Sequence, residues 1–212
     1  MLREACVENF TSVPTVIAKG AERIELCDNL AVGGTTVSYG VLMQTIAYCQ
    51  PKNVPVMAII RPRGGNFVYT DSEKDIILTD IKLAVQAGVD GIVVGALNQG
   101  DQLDLPFLTD IASTIDLDEV KLTFHMAFDE IPREDQVAAL KRLSDIGFSR
   151  ILTHGGPMQQ PIFDHIAHLE NLIEAAVPIG LTILPGGGVT RDNLPRLQVE
   201  LAIQEAHGTQ IV

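Results

Sequence analysis

Gly20-Ala-Glu-Arg-Ile24, Gly88-Val-Asp-Gly-Ile92 and Gly147-Phe-Ser-Arg-Ile151 are three copies of one pattern, a glycine followed four positions later by an isoleucine. Each copy follows an amphipathic run and precedes a short apolar run. The glycine is therefore expected to end a helix and the isoleucine to begin a strand. Because the pattern returns after every second helix, it predicts a chain built from repeated strand–helix units.

Eight segments of strand length alternate with longer amphipathic segments along the whole chain, which is typical of a parallel sheet covered by helices. These segments are Leu2–Val7, Arg23–Cys27, Pro55–Arg61, Gly91–Gly95, Lys121–His125, Arg150–His154, Gly180–Leu184 and Leu201–His207. They predict an α/β fold, a TIM (β/α)8 barrel formed by one domain over residues 1–212, although such barrels more often have about 250 residues. Five residues follow His207, so we expect the last helix to be short or missing. A doubly wound open sheet of about six strands is the alternative.

The composition argues against several classes of protein. Hydrophobic residues make up 46% of the chain, which excludes disorder. The net charge of −12 and the lack of a basic run argue against a nucleic-acid partner. The N-terminus does not resemble a signal peptide, and no segment approaches the roughly 20 apolar residues of a membrane span. Three cysteines without a CxxC pair favour a reducing, cytoplasmic compartment.

Alternation of side chains along the strands predicts a barrel interior that is unusually charged. If the apolar residues face the helices, the inward set is Glu4, Cys6, Glu8, Arg23, Glu25, Cys27, Met57, Ile59, Arg61, Arg63, Thr123, His125, Glu205 and His207. Burying an unpaired ion costs several kcal/mol, so these groups are expected to pair with one another or to await a ligand. A structural ion-pair network and a ligand site at the strand C-termini both stay open.

The segment Arg61-Pro62-Arg63-Gly64-Gly65 is a candidate anion site. Two guanidinium groups beside flexible backbone suit bidentate capture of a carboxylate or a phosphate. Salt bridges within the loop, to Asp71 or Glu73, are the alternative.

A second candidate anion site is Pro185-Gly186-Gly187-Gly188-Val189-Thr190, which follows the seventh predicted strand. Thr190 favours the start of a helix, so Gly186, Gly187 and Gly188 are expected to offer free amides near a helix N-terminus. A tight turn between strand and helix is the alternative.

Cys6 and Cys27 end neighbouring strands with the same inward parity. Strands lie about 4.8 Å apart, so two thiolates there would share one soft ion such as Cu(I). Inert packing of buried cysteine is the alternative.

An enzyme is the competing function. His125, Glu25 and Glu205 would then move protons while the arginines hold a small anionic, possibly phosphorylated, metabolite. No interior lysine lies at a strand C-terminus, which favours isomerase or lyase chemistry over a Schiff-base aldolase. A hydrogen-bonded interior histidine is the alternative for His125.

These residues lie in motifs that resemble the CutC family of copper homeostasis proteins. The matching stretches are Glu4-Ala-Cys6-Val-Glu8, Arg23-Ile-Glu25-Leu-Cys27, Gly33-Gly34-Thr35-Thr36, Ile60-Arg61-Pro62-Arg63-Gly64-Gly65, Gly95-Ala96-Leu97, Thr123-Phe-His125-Met-Ala-Phe-Asp129, Leu152-Thr153-His154-Gly155-Gly156, Pro185-Gly186-Gly187-Gly188 and Glu205-Ala-His207-Gly208. Each stretch alone is a weak signal, but their ordered combination over nearly the whole chain is specific. Met126 stands where the family commonly has Arg, and His154 where it commonly has Ser.

The resemblance implies a cytoplasmic TIM-barrel protein, often oligomeric, linked to copper uptake, storage or tolerance. Family proposals for Cu(I) binding fall on two cysteines that match Cys6 and Cys27. Met126 has the parity of the helix side, so we do not expect it to face a bound ion. A missing last helix would leave an apolar flank of the barrel uncovered, which predicts a homo-oligomer, a dimer or a tetramer.

Overall fold

Eight parallel strands form the wall of a nearly closed barrel in the computed structural model, which describes residues 1–212. The strands are β1 Leu2–Glu8, β2 Arg23–Cys27, β3 Val56–Ile59, β4 Gly91–Val94, β5 Lys121–Phe124, β6 Phe148–Thr153, β7 Thr182–Pro185 and β8 Glu205–Gly208. Their hydrogen-bonded order is β7-β6-β5-β4-β3-β2-β1-β8. This sequential order, with β8 beside β1, confirms the TIM-barrel prediction and excludes a doubly wound sheet.

Seven α-helices connect consecutive strands on the outside of the barrel. They are α1 Val13–Ala18, α2 Tyr39–Cys49, α3 Asp71–Ala87, α4 Leu105–Ser113, α5 Gln136–Ile146, α6 Ile166–Ala176 and α7 Leu194–Leu201. Gly88 and Gly147 end α3 and α5 with φ of 92° and 111°, a conformation that favours glycine. The repeated glycine pattern therefore marks helix ends, as predicted. None of the seven helices combines the length and the apolar character that a membrane span requires.

No helix follows β8, which confirms the prediction of a short or missing last helix. The predicted last strand, Leu201–His207, is wrong at its start, because Leu201 packs into the core as the last residue of α7. Strands β7 and β8 are not hydrogen-bonded to each other. The loop after β7 closes this seam, since the Arg191 amide donates to the Gln210 carbonyl at 2.8 Å.

The barrel wall separates two apolar clusters, one between the strands and the helices and one inside the barrel. Ile24, Leu26 and the other residues of their parity pack against the helices in a large apolar core. On the inward side, Cys6, Cys27, Met57, Ile59 and Val93 form a separate small apolar cluster. Charged side chains share this inward side, and the alternation predicted for the first three strands is therefore confirmed.

Candidate functional site

At the N-terminal ends of the strands, Arg23 lies between two carboxylates. Its guanidinium donates to Glu4 and to Glu205, and all three side chains are largely sequestered from solvent. We call Glu4, Arg23 and Glu205 the ion layer. The sequence predicts Glu205 as a proton-transfer group, but the structure places it on Arg23 and outside the wall of the cavity described below.

Glu4 also connects the ion layer to the next residues of the interior. The Nδ1 of His207 donates to Glu4 Oε1 at 2.8 Å. Burial by itself would raise the pKa of Glu4, but the hydrogen bond from His207 and the charge of Arg23 outweigh burial and lower that pKa to about 2. Every oxygen of this carboxylate therefore has a partner that favours its charged form.

Above the ion layer, Cys6, Cys27, Glu25 and His207 form a compact cluster. The pairing of β1 with β2 sets Cys6 beside Glu25, and the pairing of β1 with β8 sets Glu4 beside His207. The two Sγ atoms are 3.9 Å apart, and Glu25 Oε1 lies 3.5 Å from Cys6 Sγ and 3.8 Å from His207 Nε2. Ligand atoms of Cys6, Glu25 and His207 all lie within 4.8 Å of one another.

The protonation of this cluster follows from its burial. The hydrogen bond with Cys27, together with burial and the charge of Glu25, raises the pKa of the Cys6 thiol. Burial also raises the pKa of Glu25. For His207, burial lowers the pKa, but the charges of Glu25 and Glu4 outweigh burial and raise it. The Cys6 thiol is therefore held in its protonated form unless a cation replaces the proton.

Arg61 follows β3 at the C-terminal end of the barrel, the predicted face for ligands. Its Nη1 donates to the carbonyls of Val32 at 2.9 Å and Gly34 at 3.2 Å, and its Nη2 donates to the carbonyl of Gly65 at 2.8 Å. These are all neutral acceptors, and burial lowers the pKa of the guanidinium. The positive charge of Arg61 thus has no carboxylate bonded to it.

His125 follows β5 and is buried beside Arg61 and Phe67. Its Nδ1 accepts from the Ala127 amide at 3.1 Å, so the proton of the neutral ring is on Nε2. Burial and the charge of Arg61 lower the pKa of His125 to about 3. Gly95 leaves room for the ring, since a Cβ there would lie 2.5 Å from His125 Cε1. His125 is therefore a neutral donor at physiological pH.

One cavity of about 260 Å³ opens above these groups. Its wall includes Cys6, Glu25, Arg61, His125 and His207, together with Gly187, Gly188, Gly208 and Thr209. The cavity thus joins the predicted metal residue Cys6 to three of the predicted anion residues, Arg61, Gly187 and Gly188, in a single site. Cys27 is fully buried beside Cys6 and does not reach the wall.

A family model for the CutC family matches residues 1–212, the whole chain. The chain belongs to the CutC family. It is 50% identical to a CutC family protein of Enterococcus faecalis (strain ATCC 700802 / V583) over 212 residues, all of both chains. It is also 38% identical to the human copper homeostasis protein cutC homolog over 206 residues, 97% of this chain and 72% of the human one.

Solved structures agree with this family assignment. The crystal structure of a CutC copper homeostasis protein from Streptococcus agalactiae matches with a TM-score of 0.95 and 42% identity over all of both chains. A tetrameric deoxyribose phosphate aldolase from Aeropyrum pernix matches with a TM-score of 0.71 at 10% identity, over 98% of this chain and 85% of that one. The aldolase likeness shows only that the barrel is shared.

The CutC motif Pro185-Gly186-Gly187-Gly188 forms part of the cavity rim. Gly187 and Gly188 have φ of 77° and 75°, and neither of their amides donates to a protein acceptor. The Gly186 amide instead donates to the Thr153 carbonyl. Thr190 makes the reciprocal contacts of a helix cap, since its Oγ1 accepts from the Asn193 amide and its amide donates to the Asn193 side chain. Its carbonyl also accepts from the Leu194 amide, although the regular helix α7 begins only at Leu194.

Two residues of the CutC motifs lie elsewhere than predicted. Arg63 is bonded to Glu73 at the start of α3, the alternative raised from the sequence, and does not line the cavity. Met126 does line the cavity, because β5 ends at Phe124 and a 3-10 turn over Met126–Glu130 replaces the strand alternation. The alternation of inward and outward side chains holds only within a strand, so it does not predict the direction of a residue beyond the strand's end.

His207 is the CutC-family residue whose role sequence reasoning missed. It has the same parity as Glu205 but lies nearer the C-terminal end of β8, where barrels bind ligands. That position was the available signal. The structure places His207 in the cluster with Cys6 and Glu25, while Glu205 belongs to the ion layer.

Proposed function

We propose that this CutC-family protein binds Cu(I) at Cys6 and Cys27, with His207 as a third ligand. The observation that carries the proposal is the 3.9 Å separation of two buried thiols, one of which, Cys6, lies within 4.8 Å of a ring nitrogen of His207. Thiolates are the ligands that select Cu(I), and imidazole also suits copper. The donor set thus fits the copper homeostasis role in the names of its relatives. Glu25, 3.5 Å from Cys6, is placed to receive the proton that the thiol releases.

An anaerobic titration of reduced, metal-free protein with Cu(I) against a competing chelator tests this proposal. We expect tight binding of about one ion that disappears in the Cys6→Ser/Cys27→Ser variant, because both soft ligands are then lost. Cys49→Ser is the matched control, since Cys49 is also buried but lies at the end of α2. Cu(I) uptake that is unchanged in the double variant would overturn the proposal.

We propose as a second candidate an isomerase- or lyase-type enzyme that acts on a small anionic, possibly phosphorylated, metabolite in the same cavity. The observation that favours it is the pair formed by uncompensated Arg61 and neutral His125. Because Glu205 lies outside the cavity wall, His207 replaces it in the candidate catalytic set beside His125 and Glu25. Arg61, without Arg63, is the arginine that would hold the anion. A melting temperature that does not shift with phosphate or phosphorylated compounds would argue against this function.

We also propose that the protein is a cytoplasmic homo-oligomer, a dimer or a tetramer. Its three free cysteines suit a reducing compartment. A second subunit would cover the barrel flank beside β8, a strand that none of the seven helices follows. Light scattering at micromolar concentration tests the association, and a monomer would contradict it.

A further inference from the structure

Three residues of one cavity wall each carry a buried polar atom without a hydrogen-bond partner. Five buried side-chain nitrogen or oxygen atoms lack a hydrogen-bond partner, and Glu25 Oε2, Arg61 Nε and His125 Nε2 are three of them. Their residues are only 3%, 5% and 4% exposed. Buried polar groups in native proteins are almost always satisfied, so three such residues on one wall favour a polar ligand in this cavity.

Arg61 defines the charge of that ligand. Its Nη atoms bond three carbonyls, which hold the guanidinium in place without neutralising it. Tyr69 also lies within reach of the guanidinium, and burial raises the pKa of its hydroxyl, so this neighbour is neutral as well. A buried cation is stable when an anion accompanies it, and none of the groups around Arg61 supplies a negative charge.

His125 adds a second donor without adding a charge. Since Nδ1 is occupied by the Ala127 amide, the Nε2–H is the free group. A neutral imidazole donor beside a guanidinium binds an oxygen of an anion and does not compete with Arg61 for the negative charge. The unbonded amides of Gly187 and Gly188 provide further donors at the rim.

Glu25 requires a different group at its end of the cavity. Oε1 is near Cys6 and His207, whereas Oε2 has no partner. A second anionic group there would be repelled by the carboxylate. A hydroxyl satisfies Oε2 in either protonation state, because it both donates and accepts.

From these contacts we infer that the cavity binds a small hydroxylated oxyanion, with its carboxylate or phosphate at Arg61 and His125 and its hydroxyl at Glu25. The volume of about 260 Å³ is at the small end for ligand pockets and favours a ligand of few atoms. This inference rests on the second candidate function above, and it is independent of copper.

Calorimetric titration of reduced, metal-free protein with two matched probe pairs tests the inference. The carboxylate pair is glycolate and acetate, and the phosphate pair is glycerol 3-phosphate and inorganic phosphate. Within the pair that matches the natural anion, we expect the hydroxylated probe to bind at least about tenfold more tightly. Glu25→Met should abolish this preference, because it removes the partner of the hydroxyl.

Variants of the donors complete the test. Arg61→Met and His125→Phe should each weaken binding of the preferred probe by at least about tenfold. His125→Phe keeps an aromatic ring in place, so it tests the site even if Arg61→Met fails to fold. Circular dichroism checks the fold of both variants. Arg63→Met is the matched control, since Arg63 lies outside the cavity.

The outcomes separate this inference from the proposals above. Binding that persists in Cys6→Ser/Cys27→Ser supports it even if copper binding fails. Probes that bind in the expected pattern without being converted support the site and count against the enzyme. Dissociation constants above about 1 mM for all four probes, or equal affinity of the hydroxylated and plain probes in both pairs, would overturn it.

Discussion

The ion layer and the residues above it are both charged and buried in the same barrel, yet only the ion layer is complete. In the ion layer, the guanidinium of Arg23 is bonded to two carboxylates, and Glu4 has a further partner in His207. Above it, Glu25, Arg61 and His125, which we call the open layer, each keep an unpartnered atom beside a cavity. Charge in a barrel interior thus indicates a ligand only where its hydrogen bonds are left unmade.

The largest effect that distinguishes the two layers is expected from Arg23→Met. This change leaves Glu205 without its ion-pair partner and Glu4 with His207 alone, so the free energy of unfolding should fall by about 3–5 kcal/mol. Arg61→Met leaves only neutral carbonyls without a donor, which predicts a smaller loss of about 1–3 kcal/mol. Urea unfolding of metal-free protein at neutral pH measures both values. Equal losses in the two variants would break the distinction.

The next largest effect is expected from replacing Glu4 or Glu25 by Gln. The two variants should change the free energy of unfolding in opposite directions. Glu4 has a folded-state pKa of about 2 against an ordinary value of 4.5, so its charge stabilises the fold above pH 4.5 and this contribution is lost as the pH falls towards 2. Glu4→Gln should therefore cost about 3 kcal/mol at neutral pH. The difference from wild type should disappear near pH 2.

Glu25→Gln is the matched variant. Because burial raises the folded-state pKa of Glu25, its ionisation costs stability as the pH rises through that value. The Gln side chain does not titrate, so this variant should be as stable as wild type or more stable at the alkaline side of neutrality. Denaturant unfolding across pH checks both glutamates, and a destabilised Glu25→Gln protein would place Glu25 in the ion layer.

The smallest effect is expected outside both layers. The Arg63–Glu73 pair is partly exposed to solvent, where ion pairs contribute little. Arg63 also donates to the carbonyls of Gly64, Asn66 and Val68, but these contacts are partly exposed, so water can replace the lost donor. Arg63→Met should therefore lower the melting temperature less than Arg61→Met does and leave ligand binding unchanged. A clear loss of ligand binding would return Arg63 to the anion site predicted from its spacing.

Local sequence patterns were sufficient for the fold and for the contents of the barrel. Glycine-ended helices and apolar runs predicted eight strands, since helix ends and strand faces depend on neighbouring residues. Parity placed Glu4, Cys6, Arg23 and Glu25 inside for the same reason. It failed at Met126, where the chain leaves β5 for a turn.

Which of these interior groups pair and which stay open was decided by the tertiary structure. Arg23 meets Glu205 across 182 positions of the sequence, and His207 meets Glu4 across 203. Such contacts form only when β8 closes against β1, and they depend on the register of that pairing. The sequence by itself therefore determined the barrel and its charged interior. Only closure of the barrel decided which of these charged residues are paired in the ion layer and which line the cavity. The reason is that residues so far apart in the sequence meet only through tertiary packing.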